Sequence, residues 1–209
     1  MENIEKFIFQ SPSTCLIAGP TSCGKTYFTL RLLENRVELF TRSVKRIVWC
    51  YSVYQDIFNG YRDFIEFHEG IYDVSSLSGS EHVVMVLDDL MHEMNKRVAE
   101  TFTVHSHHRN VSVFFITQNL FHKNAYMRDI SLNSHYMILF PQRRDMSQVR
   151  TLAIQMCPQD YKDFMRVYKE TTSVKYGYLV CDLHPKNTHR VLLRTNIFPG
   201  EIEIVYIPS

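Results

Sequence analysis

Short, nearly uninterrupted apolar runs recur along the first two thirds of the chain and are separated by polar segments. Such runs are typical of strands buried on both faces of a parallel sheet. Between them, apolar residues recur at helical spacing, as Phe28, Leu32 and Leu33 do in a helix expected from Lys25 to about Asn35. The pattern predicts an α/β fold, a mainly parallel sheet flanked by helices. The predicted core strands are residues 14–18, 45–51, 83–87, 111–117 and 136–140.

The last third of the chain has a different pattern. Two predicted helices, 144–156 and 158–171, are separated by Pro158 and followed by three short β runs. Consecutive β runs joined by short polar loops indicate an antiparallel extension at the end of the parallel core. We expect a single domain over residues 1–209, with a core at about 10–150 and the extension at about 151–209. The three β runs are residues 176–183, 190–197 and 202–207.

Three further segments are predicted with less regular patterns. Residues 91–108 have the periodicity of a helix, and residues 53–70 fit a helix followed by a short strand at 64–67. The polar N-terminal segment contains Phe7 and Phe9, which we expect to pack against the sheet.

Residues 19–26, G-P-T-S-C-G-K-T, match the G-x-x-x-x-G-K-[ST] (Walker A) pattern completely; we call them the glycine loop. Their position between a predicted strand and a predicted helix is the context in which this loop binds phosphate through backbone N–H groups and the helix N-terminus. We expect Lys25, exposed when no nucleotide is bound, to contact the β- and γ-phosphates of ATP, and Thr26 to bind Mg²⁺. The predicted nucleotide-binding residues are Gly19, Pro20, Thr21, Ser22, Cys23, Gly24, Lys25 and Thr26.

Two carboxylates, Asp88 and Asp89, follow the apolar run 83–87. Ligands of open α/β sheets bind at the carboxyl ends of the strands, so this is a Walker B pattern. Asp88 is predicted to hold Mg²⁺, and Asp89 to orient or deprotonate the attacking water. A strand that ends in an acidic helix cap is the simpler explanation, but the glycine loop upstream favours the catalytic one.

The strand predicted at 111–117 also ends in polar residues. Gln118 is the predicted catalytic sensor of the γ-phosphate, with Thr117 and Asn119 as its neighbours. His105, His107 and His108 form a histidine cluster before this strand, but no cysteine or carboxylate lies at ligand spacing. We therefore interpret the histidines as a solvated helix end.

Composition narrows the functional classes. A formal net charge of +1 indicates that any contact with nucleic acid is local or transient. The N-terminus has no apolar region of a signal peptide, and no apolar run approaches the ~20 residues of a membrane span. Five scattered cysteines without a C-x-x-C pair indicate reduced thiols. Cys23, close to a helix N-terminus and Lys25, is predicted to be a reactive thiolate; the alternative is a small loop residue of no chemical consequence.

The order of motifs resembles the FtsK/HerA superfamily of recA-like ATPases. The matching segments are G-P-T-S-C-G-K-T, V-V-M-V-L-D-D-L, H-H-R-N and V-F-F-I-T-Q-N. Within the superfamily, the chain resembles the compact genome-packaging ATPases of poxvirus-like, virophage and Polinton (Maverick)/adintovirus elements, and V-W-C-Y-S-V-Y-Q at 48–55 is similar to the Polinton type. The resemblance covers roughly residues 10–150.

This resemblance implies an ATP-hydrolysing ring that pumps double-stranded DNA into a preformed capsid in the infected host cell, with a capsid or portal-vertex protein as partner and no membrane association. It also places an arginine at Arg109, which we predict to be a catalytic arginine finger for the neighbouring subunit's ATP, with Arg143, Arg144 and Arg150 as alternatives. The chain departs from many ring ATPases at Asp89, where they have Glu, and this weakens the base assignment.

Other functions are compatible with a glycine loop. A nucleoside or nucleotide kinase needs an arginine-rich lid, which Arg143, Arg144 and Arg150 resemble; another DNA translocase or helicase-type ATPase shares the same motifs. A GTPase is disfavoured because N-K-x-D is absent, and a non-hydrolysing scaffold is disfavoured by the intact acidic pair. Candidate DNA contacts are three basic clusters, Arg42/Lys45/Arg46, Lys123/Arg128 and Arg143/Arg144.

Overall fold

A computed structural model describes residues 5–90, 109–121, 125–187 and 191–207 of the chain. The predicted helix over 91–108, with its histidines, and Lys123 lie outside the described residues. The described part contains five α-helices. They are α1 (Lys25–Glu34), α2 (Arg36–Leu39), α3 (Ala125–Leu132), α4 (Met146–Met156) and α5 (Tyr161–Thr172). Among these helices, none has the length and apolar character that a bilayer crossing requires.

The described strands form one nine-stranded sheet. They are β1 (Thr14–Ala18), β2 (Arg46–Tyr51), β3 (Glu66–Glu69), β4 (Val83–Asp88), β5 (Val111–Thr117), β6 (Tyr136–Leu139), β7 (Leu179–Asp182), β8 (Leu192–Thr195) and β9 (Ile204–Tyr206). Across the sheet they run β3-β2-β4-β5-β1-β6-β7-β8-β9. The first six strands in this order pair in parallel, and β6 to β9 pair antiparallel. The predicted α/β fold with a C-terminal antiparallel extension is therefore confirmed.

The sheet is buried on both faces. On β1, Ile17 belongs to an apolar cluster that contains Phe28 and Leu32 of α1. Its neighbour Leu16 points to the other cluster, which contains residues of α4 and α5. This double burial explains why the core strands are continuous apolar runs. Phe7 and Phe9 are also buried, as predicted.

The prediction is wrong in detail for residues 53–70, where the helix is a 3₁₀ segment, Asp56–Tyr61, and the strand is β3 at Glu66–Glu69. Asn59 and Gly60 disfavour a longer helix, while Phe58 is fully buried against the ring of Phe67.

The C-terminal elements are shorter than expected. Helix α4 begins at Met146 and not at 144, because Asp145 has a non-helical backbone (φ −133°, ψ 71°) and is the N-cap residue; its carboxylate accepts from the side chains of Ser147 and Gln148. Helix α5 begins at Tyr161 and not at 158, and β7 begins at Leu179 and not at 176. Helices α2 and α3 were not predicted.

Candidate active site

Strand β5 lies between β1 and β4 and aligns the carboxyl ends of all three strands. Ala18, the last residue of β1, pairs with Thr117, and Asp88, the last residue of β4, pairs with Ile116. The backbone continues this alignment beyond the strands, since Gly19 N–H donates to the Thr117 carbonyl at 3.2 Å and Asp89 N–H donates to the Ile116 carbonyl at 3.2 Å. The glycine loop, the acidic pair and Gln118 therefore meet at one edge of the sheet.

Helix α1 begins directly from the glycine loop. Its N-cap residue Gly24 has a left-handed backbone (φ 107°), and no side chain among the described residues caps the helix. The first N–H groups of a helix have no acceptor within it and carry the positive end of its dipole. This end of α1 is therefore suited to bind an anion.

The Lys25 side chain is buried, so the expectation that it is exposed is wrong. Its Nζ donates to the carbonyls of Gly19 at 2.6 Å and Pro20 at 2.8 Å, because these loop carbonyls are acceptors within reach of the ammonium group. Burial lowers the pKa of Lys25, and the nearby Cys23, Asp88 and Asp89 oppose that shift. The ammonium group is thus held inside the loop by bonds that it would exchange for phosphate oxygens.

Asp88 is a buried carboxylate at the end of β4. Burial raises its pKa to about 6, and the neighbouring Asp89 adds to the shift, while Lys25 and a hydrogen bond from Trp49 oppose it. Trp49 Nε1 donates to Asp88 Oδ2 at 3.3 Å from the adjacent strand β2. Sequence reasoning assigned no role to Trp49, because a strand order is needed to see that β2 is next to β4.

Asp89 and Gln118 are joined directly. Gln118 Nε2 donates to Asp89 Oδ2 at 2.8 Å, and the Gln118 carbonyl accepts from Gln142 Nε2 at 3.1 Å. The Thr117 hydroxyl instead donates to the Asn119 carbonyl at 3.1 Å. The Gln118 side chain therefore reaches the acidic pair. Asp89 itself has a left-handed backbone (φ 52°), a rare conformation for a residue other than glycine.

These groups share one cavity of about 570 Å³. It brings together Lys25 and Thr26 of the glycine loop with Asp88, Asp89 and Gln118. A second cavity of about 890 Å³ also borders the loop, and its lining includes Arg143, Arg144 and Lys175. Residues that line the first cavity but were not predicted as site residues are Tyr27, Gln55, Ile57, Ile116 and Tyr176.

The expected thiolate at Cys23 is wrong. Burial raises the pKa of this thiol above its ordinary value, and this effect outweighs the opposing influence of Lys25 and of backbone N–H groups. The Lys25 Nζ is 3.9 Å from the sulfur, but its short hydrogen bonds go to the loop carbonyls. Cys23 is therefore a neutral thiol at pH 7.

The candidate arginines lie in different places. Arg109 precedes the seven-residue strand β5 and so lies roughly 23 Å from its carboxyl end; its Nη1 donates to the Ser75 and Leu77 carbonyls. Arg143 and Arg144 are exposed beside the glycine loop, and Arg150 lies over the ring of Tyr161.

Two of the three basic clusters, Arg42/Lys45/Arg46 and Arg143/Arg144, lie entirely within the described residues. In the first, Arg46 pairs with Glu66 at 2.6 Å and Arg42 donates to Asn110 Oδ1, so much of its positive charge is engaged. Arg143 and Arg144 form no ion pair within the part of the chain that the structure describes, which makes this cluster the stronger candidate for an external anion.

The fold and the position of the cavity define the class: an α/β protein with the mainly parallel sheet and flanking helices of phosphate-loop NTPases. No protein-family model matches the sequence, and a search of curated proteins gives no significant match. The solved structures, in contrast, include several matches of full length.

One match is B204, the DNA-packaging ATPase of Sulfolobus turreted icosahedral virus, with a TM-score of 0.57 and 12% identity over 96% of this chain and 100% of that chain. The genome-packaging NTPase B204 of Sulfolobus turreted icosahedral virus 2 matches in its sulfate complex (TM-score 0.56, 11% identity, 94% and 97% covered). It also matches in its ATP-gammaS complex (TM-score 0.52, 11% identity, 94% and 96% covered). The chain shares the fold of these viral packaging ATPases.

The hydrogen bond from Trp49 to Asp88 can be tested through the pKa of Asp88. Asp88 should titrate at about pH 6 when its carboxyl carbon is followed by NMR. Because the Trp49 N–H stabilises the ionised carboxylate, Trp49→Phe should raise the pKa of Asp88 further.

Phe58→Leu is the matched control, since Phe58 packs against Trp49 with ring centroids 5.4 Å apart and does not donate to Asp88. It should leave the pKa of Asp88 equal to that of the parent. An Asp88 titration near the ordinary value of about 3.9, or equal values in Trp49→Phe and the parent, would contradict the assignment.

Proposed function

We propose that the chain is an ATP-hydrolysing motor that translocates double-stranded viral DNA into a preformed capsid. The observation that carries the hydrolase part is the Gln118–Asp89 hydrogen bond of 2.8 Å in the same cavity as Lys25 and Asp88. Hydrolysis of a phosphoanhydride requires a positioned water, a proton acceptor and cations on the phosphoryl oxygens, and these residues have the matching chemistry.

In this proposal, Asp89 accepts the proton of the attacking water and Gln118 holds the carboxylate in position through the amide. Lys25 leaves the carbonyls of Gly19 and Pro20 and donates to the β- and γ-phosphates. Because Asp89 is only partly buried and Oδ2 is the oxygen that accepts from Gln118, water has access to Oδ1.

Mg²⁺ fits the donor set of the cavity. Thr26 and Asp88 both line it, and hydroxyl and carboxylate oxygens are the ligands that Mg²⁺ prefers. No group of three or more His, Cys, Asp or Glu in the described ranges is placed to hold a metal, so we propose that Thr26 and Asp88 hold Mg²⁺ together with the nucleotide phosphates. Bound there, Mg²⁺ supplies neutralisation of phosphoryl charge.

The DNA-packaging part is supported by two independent likenesses. The fold matches that of viral packaging ATPases over nearly the whole chain, and the motifs resemble FtsK/HerA packaging ATPases of the poxvirus-like, virophage and Polinton type. We propose accordingly that the chain acts as a homo-oligomeric ring in the infected host cell, with a capsid or portal-vertex protein as its partner.

A nucleoside or nucleotide kinase is the second candidate, because Arg143 and Arg144 border the large cavity beside the glycine loop, where a kinase would bind its phosphate acceptor. The two functions differ in what accelerates ATP consumption. Transfer of phosphate to added nucleosides or nucleoside monophosphates, without stimulation by duplex DNA, would favour the kinase.

Substitutions of Asp88 and of Asp89 should impair different steps. Asp89→Asn should retain ATP binding and lower turnover by about 10²–10⁴-fold, the usual contribution of a general base. Asp88→Asn should bind Mg²⁺-ATP poorly. Turnover of Asp89→Asn equal to that of the parent would eliminate the base role.

Gln118→Ala provides the matched comparison, because it removes only the partner of Asp89. If Gln118 acts through Asp89, the Gln118→Ala/Asp89→Asn double variant should be no slower than Asp89→Asn alone, since residues that act as a unit are not additive. Fully multiplied defects would mean that Gln118 acts independently.

Duplex DNA should stimulate ATP turnover if the chain is a translocase. The stimulation should fall as salt rises, because Lys and Arg contacts to phosphate release counterions. Arg143→Gln/Arg144→Gln should reduce it, and the control Arg46→Gln, whose parent side chain is paired with Glu66, should change it little. An assembled ring with ATPase activity that DNA leaves unchanged would contradict translocation.

The ring predicts that an arginine of one subunit completes the site of the next. We propose Arg109 for this role, since among the described residues its partners are the Ser75 and Leu77 carbonyls, and both accept from Nη1. Arg109→Lys retains a donor for these carbonyls but lacks the planar fork that suits phosphate, and it should lower turnover by about 10³–10⁵-fold.

Mixing subunits tests the position of this arginine. Arg109→Lys subunits combined with Lys25→Met subunits, each inactive alone, should regain partial activity, because some intact glycine loops then face an intact Arg109. Failure to recover activity in confirmed mixed rings would contradict the assignment, and recovery with Arg143→Lys or Arg144→Lys in its place would transfer the role to those residues.

A further inference from the structure

We propose that Tyr176 is the platform on which the nucleotide base stacks, so that this chain selects purine nucleoside triphosphates by an aromatic face and not by base-edge hydrogen bonds. The inference rests on the proposed binding of a triphosphate at the glycine loop. It concerns a residue outside the motifs that identify that loop.

The strand order places Tyr176 and the acidic pair on opposite sides of the glycine loop. The glycine loop follows β1, and the acidic pair follows β4, two strands away on one side. Tyr176 precedes β7, which is two strands away on the opposite side, beyond β6. If the terminal phosphate points toward Asp88 and Asp89, the α-phosphate, the ribose and the base extend toward Tyr176.

The tyrosine ring is in contact with the loop itself. A Cβ placed on Gly24 would lie 3.1 Å from Cδ1 and 3.7 Å from Cγ of Tyr176. The ring therefore covers the residue from which α1 begins, and it lines both the 570 Å³ cavity and the 890 Å³ cavity. The ring thus lies beside the N-terminus of α1, where the phosphates are proposed to bind, and does not occupy that position.

The backbone presents Tyr176 in a fixed way. Its φ of 61° is in the left-handed region, which costs free energy for a residue other than glycine and is typical of functional positions. The turn is closed by the Gly177 N–H, which donates to the Val174 carbonyl at 3.0 Å. A Cβ on Gly177 would lie 2.2 Å from the Thr171 carbonyl oxygen, so the turn packs tightly on the end of α5.

Stacking of a base also requires that the Tyr176 ring be exposed. Tyr176 is 57% exposed, although aromatic rings usually bury most of their surface. The Lys175 Nζ lies 5.0 Å from the ring centroid on the same turn. A stacked base would cover exposed aromatic surface, and every base has a face that can stack. Because the two-ring system of a purine covers more of the tyrosine face than a pyrimidine does, we expect ATP and GTP to bind with similar affinity and pyrimidine nucleotides to bind more weakly.

The test compares Mg²⁺-ATP with Mg²⁺-tripolyphosphate, which has the three phosphates and no base, by calorimetry on the full chain. Tyr176→Ala should weaken ATP binding by roughly 5- to 100-fold, the effect of removing one stacking aromatic, and change tripolyphosphate binding by less than about twofold. Tyr176→Phe should bind ATP as the parent does, and Tyr176→Leu, which has bulk but no aromatic face, should resemble Tyr176→Ala.

Three results would overturn the proposal. Tyr176→Ala could bind ATP normally, or lose ATP and tripolyphosphate equally, which would assign Tyr176 to the shape of the glycine loop. The loss could instead follow Tyr27→Ala, the other exposed tyrosine of the cavity, which would move the platform to Tyr27. A parent that binds neither ligand would refute the proposed function itself, a different result from a base-specific failure.

Discussion

The parallel pairing of β5 with both β1 and β4 is the constraint on which the rest of the site depends. Backbone hydrogen bonds hold Ala18 opposite Thr117 and Asp88 opposite Ile116, and they continue one residue beyond the strands at Gly19 and Asp89. A shift of β5 by one residue would move each side chain of that strand to the other face. Because all these strands are buried on both faces, their packing against α1 and α4 resists such a shift. The site is thus positioned by the core.

Burial and charge oppose each other throughout this edge of the sheet. Burial lowers the pKa of Lys25 and raises the pKa of Asp88, so each group is driven toward its neutral form. The attraction between the two and the hydrogen bond from Trp49 act in the other direction. A triphosphate with Mg²⁺ would add charges of both signs to the same cavity and favour the ionised forms of both residues. In this interpretation, the bound nucleotide and Mg²⁺ supply the charges that keep Lys25 and Asp88 ionised.

The sequence was sufficient for the core strands, helix α1, the antiparallel extension and the position of the glycine loop between β1 and α1, because long apolar runs and an unbroken motif are local signals. It was insufficient where the result depends on burial and contacts that exist only in the folded chain. Lys25 was expected to be exposed, but carbonyls of its own loop accept its hydrogen bonds. The thiolate expected at Cys23 was inferred from neighbouring charges alone, and burial outweighs them. Trp49 and Tyr176 could not be assigned, since the strand order that places them beside the site is not readable from periodicity.

The antiparallel extension bears on which part of the chain forms the functional unit. The region that carries the motifs ends near residue 150. The sequence pattern alone predicts that the extension is added to a complete core. Yet β7 continues the sheet directly from β6, and the turn before it places Tyr176 against Gly24 of the glycine loop. If a base stacks on that ring, the nucleotide lies across β4, β5, β1, β6 and the turn that leads to β7. A truncation after residue 150 would then remove one wall of the nucleotide site along with three strands, and the resemblance-bearing region would not be the functional unit.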